Sequence, residues 1–116
     1  MEIFKLLDNA PHISAYEVEE YDVRESSTYL RLQIIFKDKS VLFVREYISA
    51  TDRDYSFHWQ KESKELIIRW DNTKHHKNIS TYPDHVHVGS KISASVPVNL
   101  GDVLEIIAKE LNKAGV

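Results

Sequence analysis

Two short segments of this sequence carry most of the side chains able to do chemistry. The first runs Arg69-Trp70-Asp71-Asn72-Thr73-Lys74-His75-His76, and the second Thr81-Tyr82-Pro83-Asp84-His85-Val86-His87-Val88. On a strand, a His-x-His pair such as His85 and His87 sets two imidazoles roughly 6.5–7 Å apart at the backbone, leaning the same way. That placement suits two kinds of work. With a further His or Asp, the pair can hold zinc, whose nitrogen bonds are about 2.0–2.1 Å long. Alternatively, the two rings flank a scissile bond, one taking a proton as base and the other giving one as acid, each near its working pKa. A polar surface without chemistry is the third reading, because His-x-His also arises by chance.

The elements that must position these groups are legible from periodicity. Tyr55, Phe57 and Trp59 alternate with Ser56, His58 and Gln60, and Leu66, Ile68 and Trp70 alternate with Ile67, Arg69 and Asp71. Burying both apolar sets together requires a pairing such as Phe57 with Ile68, since a one-residue slip would throw one set into water. His58, Arg69 and Asp71 then share the opposite face. Trp59 and Trp70 fall on the apolar side and read as core, while Arg69 is either a sheet-surface charge or an anion clamp. His85–Val88 alternates again, with both histidines on one face.

Earlier in the chain, Ser14–Val23 and Tyr29–Phe36 read as strands, Ser26–Thr28 as a loop and His12 as a turn residue. After a polar turn at Lys37–Ser40, Val41–Ile48 returns as the next strand. A turn of two or four residues would oppose Arg31 to Glu46, making Glu46 a salt-bridge partner, with general base as its alternative role. Asn72–Ser80 is loop-like. Leu100, Val103, Leu104, Ile107, Ala108 and Leu111 form an amphipathic helical stripe, capped by Asn99 at its start, with Lys113 and Gly115 at its finish. A short helix is expected over Glu2–Leu7. The resulting expectation is one α+β domain over residues 1–116, a mostly antiparallel sheet of five to six strands with a C-terminal amphipathic helix packed on one face.

Composition removes several function classes. The chain has 116 residues, 42% hydrophobic and 28% charged, which suits one packed domain rather than a disordered chain. Its 3 glycines lack the spacing of a dinucleotide or phosphate-binding loop, and the absence of cysteine excludes disulfides, a thiolate nucleophile and Cys-ligated zinc. No serine has the context of a hydrolase nucleophile elbow. No signal peptide or membrane span is expected, which points to the cytoplasm. The net charge of −3 is uneven: residues 1–57 carry 7 Lys and Arg against 11 Asp and Glu, residues 58–91 carry 6 against 4, and 5 of the 6 histidines lie in the second stretch. Overall acidity argues against broad coating of nucleic acid but leaves room for a local basic site.

These residues resemble a known family. Phe36, Leu42 and Glu46, then Tyr55-Ser56-Phe57-His58-Trp59, then Arg69-Trp70-Asp71-Asn72 with His75-His76, then Pro83, His85 and His87, are similar in order to the TumE-type toxins of bacterial and archaeal toxin–antitoxin pairs. The resemblance spans residues 14–112, and its most specific part is the block from Asp71-Asn72 to His87. It departs from the family pattern in Thr73-Lys74 before the first His pair, where Pro often stands, and in Asp84, where a further His is common. The resemblance implies a small cytoplasmic toxin, a cognate antitoxin protein as partner, RNA as a further partner and no membrane; a homodimer is left open.

Two chemical hypotheses and one without chemistry follow. In the first, a metal-independent ribonuclease needing no cofactor, His85 and His87 act as acid and base. His58 orients or replaces one of them, and Asp71 fixes an imidazole tautomer. Arg69 and Lys74 hold phosphate, and Asn72 bonds substrate or shapes the turn. In the second, His75, His76, His85 and His87 ligate zinc or another transition metal, as a metal-binding module or a metal-dependent hydrolase. In the third, the chain acts only by binding another protein.

Overall fold

The computed structural model describes residues 2–72 and 84–115. Seven strands follow one another as a single antiparallel meander, β1 (Ile13–Val23), β2 (Ser27–Phe36), β3 (Val41–Ser49), β4 (Arg53–Gln60), β5 (Leu66–Asp71), β6 (His85–Val88) and β7 (Lys91–Ala94). Helix α1 (Glu2–Asn9) precedes the sheet and α2 (Leu100–Lys113) follows it. The architecture is the expected α+β sheet with a C-terminal helix, but with 7 strands rather than five to six. The additional strand is β7, whose four residues Lys-Ile-Ser-Ala hold one large apolar side chain, Ile92, and leave it 37% exposed. Gly89, at φ +60°, supplies the left-handed residue of the two-residue turn that folds β7 back onto β6. Strand β2 also begins earlier than expected: Ser27 and Thr28 pair with β3 and belong to the strand. Among the described residues no helix is long and apolar enough to cross a membrane.

The β2–β3 hairpin corrects one expected pairing. The Phe36 N–H donates to the Ser40 carbonyl at 2.9 Å, leaving a three-residue loop in which Lys39 takes a left-handed conformation at φ 72°. An odd loop opposes Arg31 to Arg45 and Leu30 to Glu46, not Arg31 to Glu46. This parity also puts Leu42 and Val44 beside Ile34 and Leu32, so turn chemistry and apolar burial agree. Glu46 still forms an ion pair, at 2.7 Å to Arg53, whose guanidinium also donates to the Val98 carbonyl.

The β4–β5 hairpin has the same odd loop, with Lys64 at φ 75°, and here the loop and the core conflict. Carried along unbroken, its register would bring Arg69 opposite Phe57 on the apolar face. A bulge between the Gln60–Leu66 and Trp59–Ile68 pairs shifts the register by one, so Phe57 meets Trp70 and His58 meets Arg69. The apolar set therefore stays together as expected, although Phe57 pairs with Trp70 rather than Ile68. Ile67 and Ile68, flanking the bulge, both pack against the core.

The covered face of the sheet carries Leu32, Ile34, Leu42, Val44, Tyr55, Phe57, Trp59 and Trp70, packed with Leu100, Val103, Ile107 and Leu111 of α2 and Leu7 of α1. The helix starts where its cap dictates. Asn99 Oδ1 accepts from the Asp102 N–H at 2.8 Å and Asp102 Oδ2 accepts from the Asn99 N–H at 3.0 Å, a reciprocal capping box. Trp59, buried as expected, donates its indole N–H to Ser40 Oγ at 2.9 Å. Among the described residues no helix covers the other face of the sheet, and there the chemically active groups gather.

Candidate functional site

Strand pairing alone aligns the site. Because directly opposed residues share a face, the register sets up two neighbouring rows running across the strands. One row is Arg31, Arg45, Ser56, Asp71, His85 and Ala94; the other is Gln33, Phe43, His58, Arg69, His87 and Ile92. Residues far apart in sequence, such as His58 and His87, are thus brought beside Arg69 from either side by two hairpins.

Asp71 is the hub. Its Oδ1 lies 2.5 Å from His85 Nε2, and its Oδ2 accepts from Arg69 Nε at 2.8 Å and lies 3.5 Å from His87 Nε2. The carboxylate is 2% exposed, a costly location for a charge unless it is paired, and the guanidinium and imidazoles supply the pairing. The two imidazole rings are 5.0 Å apart and inclined by 60°. They differ in depth: the His85 side chain is 1% exposed, against 19% for His87. Part of the His87 ring therefore reaches solvent, with its Nε2 buried beside Asp71, while His85 is buried throughout.

His58 joins through Arg69. A guanidinium can only donate, so the 3.3 Å contact between Arg69 Nη1 and His58 Nδ1 makes that nitrogen an acceptor. The proton then sits on Nε2, which donates to Gln60 Oε1 at 3.1 Å. Burial lowers the His58 pKa below its ordinary value of 6.5; the Gln60 hydrogen bond opposes that shift and the Arg69 charge adds to it. His58 is thus a neutral imidazole with its lone pair toward Arg69 at neutral pH. Its one lone pair is engaged by Arg69, so it serves as a general base once that contact is released.

The remaining sequence candidates fall elsewhere. Asn72 uses its side chain on the backbone of β4, accepting from the Tyr55 N–H at 2.9 Å and donating to the Arg53 carbonyl, bonds that tie the end of β5 to β4. Asp84 accepts from the Tyr55 hydroxyl at 2.8 Å. Burial, with help from that carboxylate, raises the tyrosine pKa, so Tyr55 stays protonated and ties the start of β6 to the core. Lys74, His75 and His76 lie outside the described residues. Sequence reasoning read Tyr55 as core alone; only the choice of Tyr over Phe signals its polar tie.

The hub has two chemical capacities. Asp71, His85 and His87 bring one carboxylate oxygen and two imidazole nitrogens within 4.8 Å of one another, a donor set of the kind that holds zinc or a similar transition metal. The expected metal set of His75, His76, His85 and His87 does not include Asp71. The same groups, with Arg69 between His58 and His87, form an anion-binding point flanked by two imidazoles that reach the surface or nearly so. Searches of curated proteins and of solved structures gave no match. A family model described as Toxin TumE matches residues 3–113, the whole sheet, α2 and all but the first residue of α1, and the chain belongs to that toxin family.

Proposed function

We propose that this toxin is a ribonuclease that cuts RNA in the cytoplasm without a metal, and that a cognate antitoxin protein neutralises it. The observation carrying the reading is that His58, Arg69 and His87 stand side by side in one cross-strand row on the uncovered face. A phosphodiester bound at the Arg69 guanidinium lies between the two imidazoles. As the bound phosphate draws the Arg69 guanidinium off His58, the freed Nδ1 takes the proton of the ribose 2′-hydroxyl while its oxygen attacks phosphorus. His87 gives a proton to the departing 5′-oxygen as the P–O5′ bond breaks, leaving a 2′,3′-cyclic phosphate. Arg69 stabilises the charge that builds on the non-bridging oxygens. Asp71 orients His87 and Arg69, and buried His85 is a positioning residue acting through Asp71.

Metal independence is supported by the charge around Asp71. Arg69 already places a cation 2.8 Å from the carboxylate, where it competes with a metal ion. The second reading, a metal-dependent hydrolase, is favoured by the donor set of Asp71, His85 and His87. A metal held there would supply an activated water. Inducing the wild-type chain beside His87→Ala, with total RNA inspected in each culture, tests the first reading. Growth arrest with degraded RNA in the wild type alone is expected; intact RNA in both cultures contradicts it. Stoichiometric zinc in untagged protein, lost together with activity in Asp71→Ala, would transfer support to the metal reading.

A further inference from the structure

The two rows that deliver Asp71, Arg69 and His87 continue onto β2 and β3, where the proposed chemistry leaves them unused. The first continues as Arg45 and Arg31, directly opposed, and the second as Phe43 and Gln33. A groove of about 540 Å³ follows both rows and ends on His58 and Arg69. Like charges opposed on neighbouring strands weaken a sheet. Glu19 relieves this only partly: it lies 3.6 Å from an Arg31 side chain that is 50% exposed. No ion pair reaches Arg45 among the described residues. The groove lining carries Arg31, Arg45 and Arg69 with Glu19. Since Arg69 is paired with Asp71 beside the groove, the lining cation without an ion pair among the described residues is Arg45, in a chain whose net charge is −3. Its cationic balance is concentrated on the approach to the cleavage residues.

We infer that this groove holds single-stranded RNA, its backbone running over Arg45 and Arg31 and its reacting phosphate at Arg69. The inference rests on the ribonuclease reading for its direction. From β2 to β6 there are four strand spacings of about 4.8 Å, so the track is about 19 Å long, enough for a few nucleotides. Phe43 is 36% exposed, with its ring 6.1 Å from that of His58, and offers a platform on which a base stacks. Stacking there requires an unpaired base, which selects single strands over duplex. Gln33 and Ser56 bring hydrogen-bonding groups suited to base edges or ribose hydroxyls. An acidic peptide would also pair with the arginines, but the aromatic platform and the continuity with Arg69 favour RNA.

The test is binding without turnover. The His87→Ala protein is titrated onto a fluorescein-labelled single-stranded RNA of about 12 nucleotides, followed by anisotropy across a salt series. Added Arg45→Glu should weaken binding at least ~10-fold and shallow the log–log salt slope by about 0.7 for each phosphate no longer neutralised. Arg45→Gln, which keeps a polar side chain at this exposed position, should weaken it less, and both variants should melt no lower than the parent because the Arg31–Arg45 repulsion is relieved. The inference is overturned if the His87→Ala protein does not bind the RNA, or if Arg45→Glu binds it equally well. It also fails if Arg45→Glu keeps RNA affinity but no longer binds purified antitoxin, which would make the groove the antitoxin's seat. Arg45-dependent binding by a wild-type protein that cuts nothing would keep the groove and remove the ribonuclease reading; cleavage with unchanged kcat/KM in Arg45→Glu would do the reverse.

Discussion

Leu32, Phe57 and Trp70 on the covered face, and Asp71 and His85 on the open face, are all no more than 4% exposed, yet their burial has different causes. The first group is removed from water by other apolar side chains, chiefly Val103 and Ile107 of α2, and its contribution scales with area and packing. The second is a cluster around one buried carboxylate, tolerable because the Arg69 guanidinium pairs with it and the His85 ring lies against it. Apolar volume is exchangeable in small steps. A paired cluster loses its balance when one member is deleted. Damage to the covered face should therefore lower stability while leaving chemistry per folded molecule intact, whereas loss of buried Asp71 or His85 from the open face should strike both.

The largest expected effect is at the hub. Asp71→Ala strands Arg69 and His85 without their carboxylate and should cost about 3–5 kcal/mol in urea denaturation, with cleavage abolished in whatever remains folded. Asp71→Asn keeps the shape and should recover part of the stability but little of the activity. Next, Ile107→Ala should cost about 2–5 kcal/mol by opening the interface of α2 with the sheet. Its cleavage rate per folded molecule should stay at the wild-type level, and a rate that fell with it would break the separation between the faces. Smaller again, Asn99→Ala removes one half of the capping box and should cost about 1 kcal/mol with no change in cleavage.

The smallest effect is in pH dependence. Because the folded state depresses the His58 pKa, the unfolded chain binds more protons in the window below 6.5, so this residue makes stability rise with pH there. Acidification through that window should destabilise the wild type more steeply than His58→Gln, measured by urea midpoints at successive pH values. Equal slopes would remove His58 from the account of the open face.

The covered face is legible in the sequence because burial repeats. The stripe from Leu100 to Leu111 and the Asn99 cap locate α2, and the alternation of Phe57, Trp59, Ile68 and Trp70 is enough to place His58, Arg69 and Asp71 together. What stays hidden is whatever periodicity does not encode. Lys39 in a left-handed conformation makes its loop odd, and nothing about a lysine announces that. Strand β7 is four residues long with one large apolar side chain, too short for its alternation to mark a strand. Most relevant to function, alternation assigns His85 and His87 to one face but cannot rank their depth. That depth decides which imidazole meets substrate and which braces the carboxylate.

The most direct test of the central claim uses purified protein dialysed against EDTA, a labelled single-stranded RNA, and wild type beside His87→Ala and His85→Ala. Cleavage by the wild type in EDTA, yielding 2′,3′-cyclic phosphate ends, is expected. It should be abolished in His87→Ala without loss of fold, whereas His85→Ala should lose both stability and rate. Cleavage that stops in EDTA and returns with added zinc, or that persists in His87→Ala, would contradict the account.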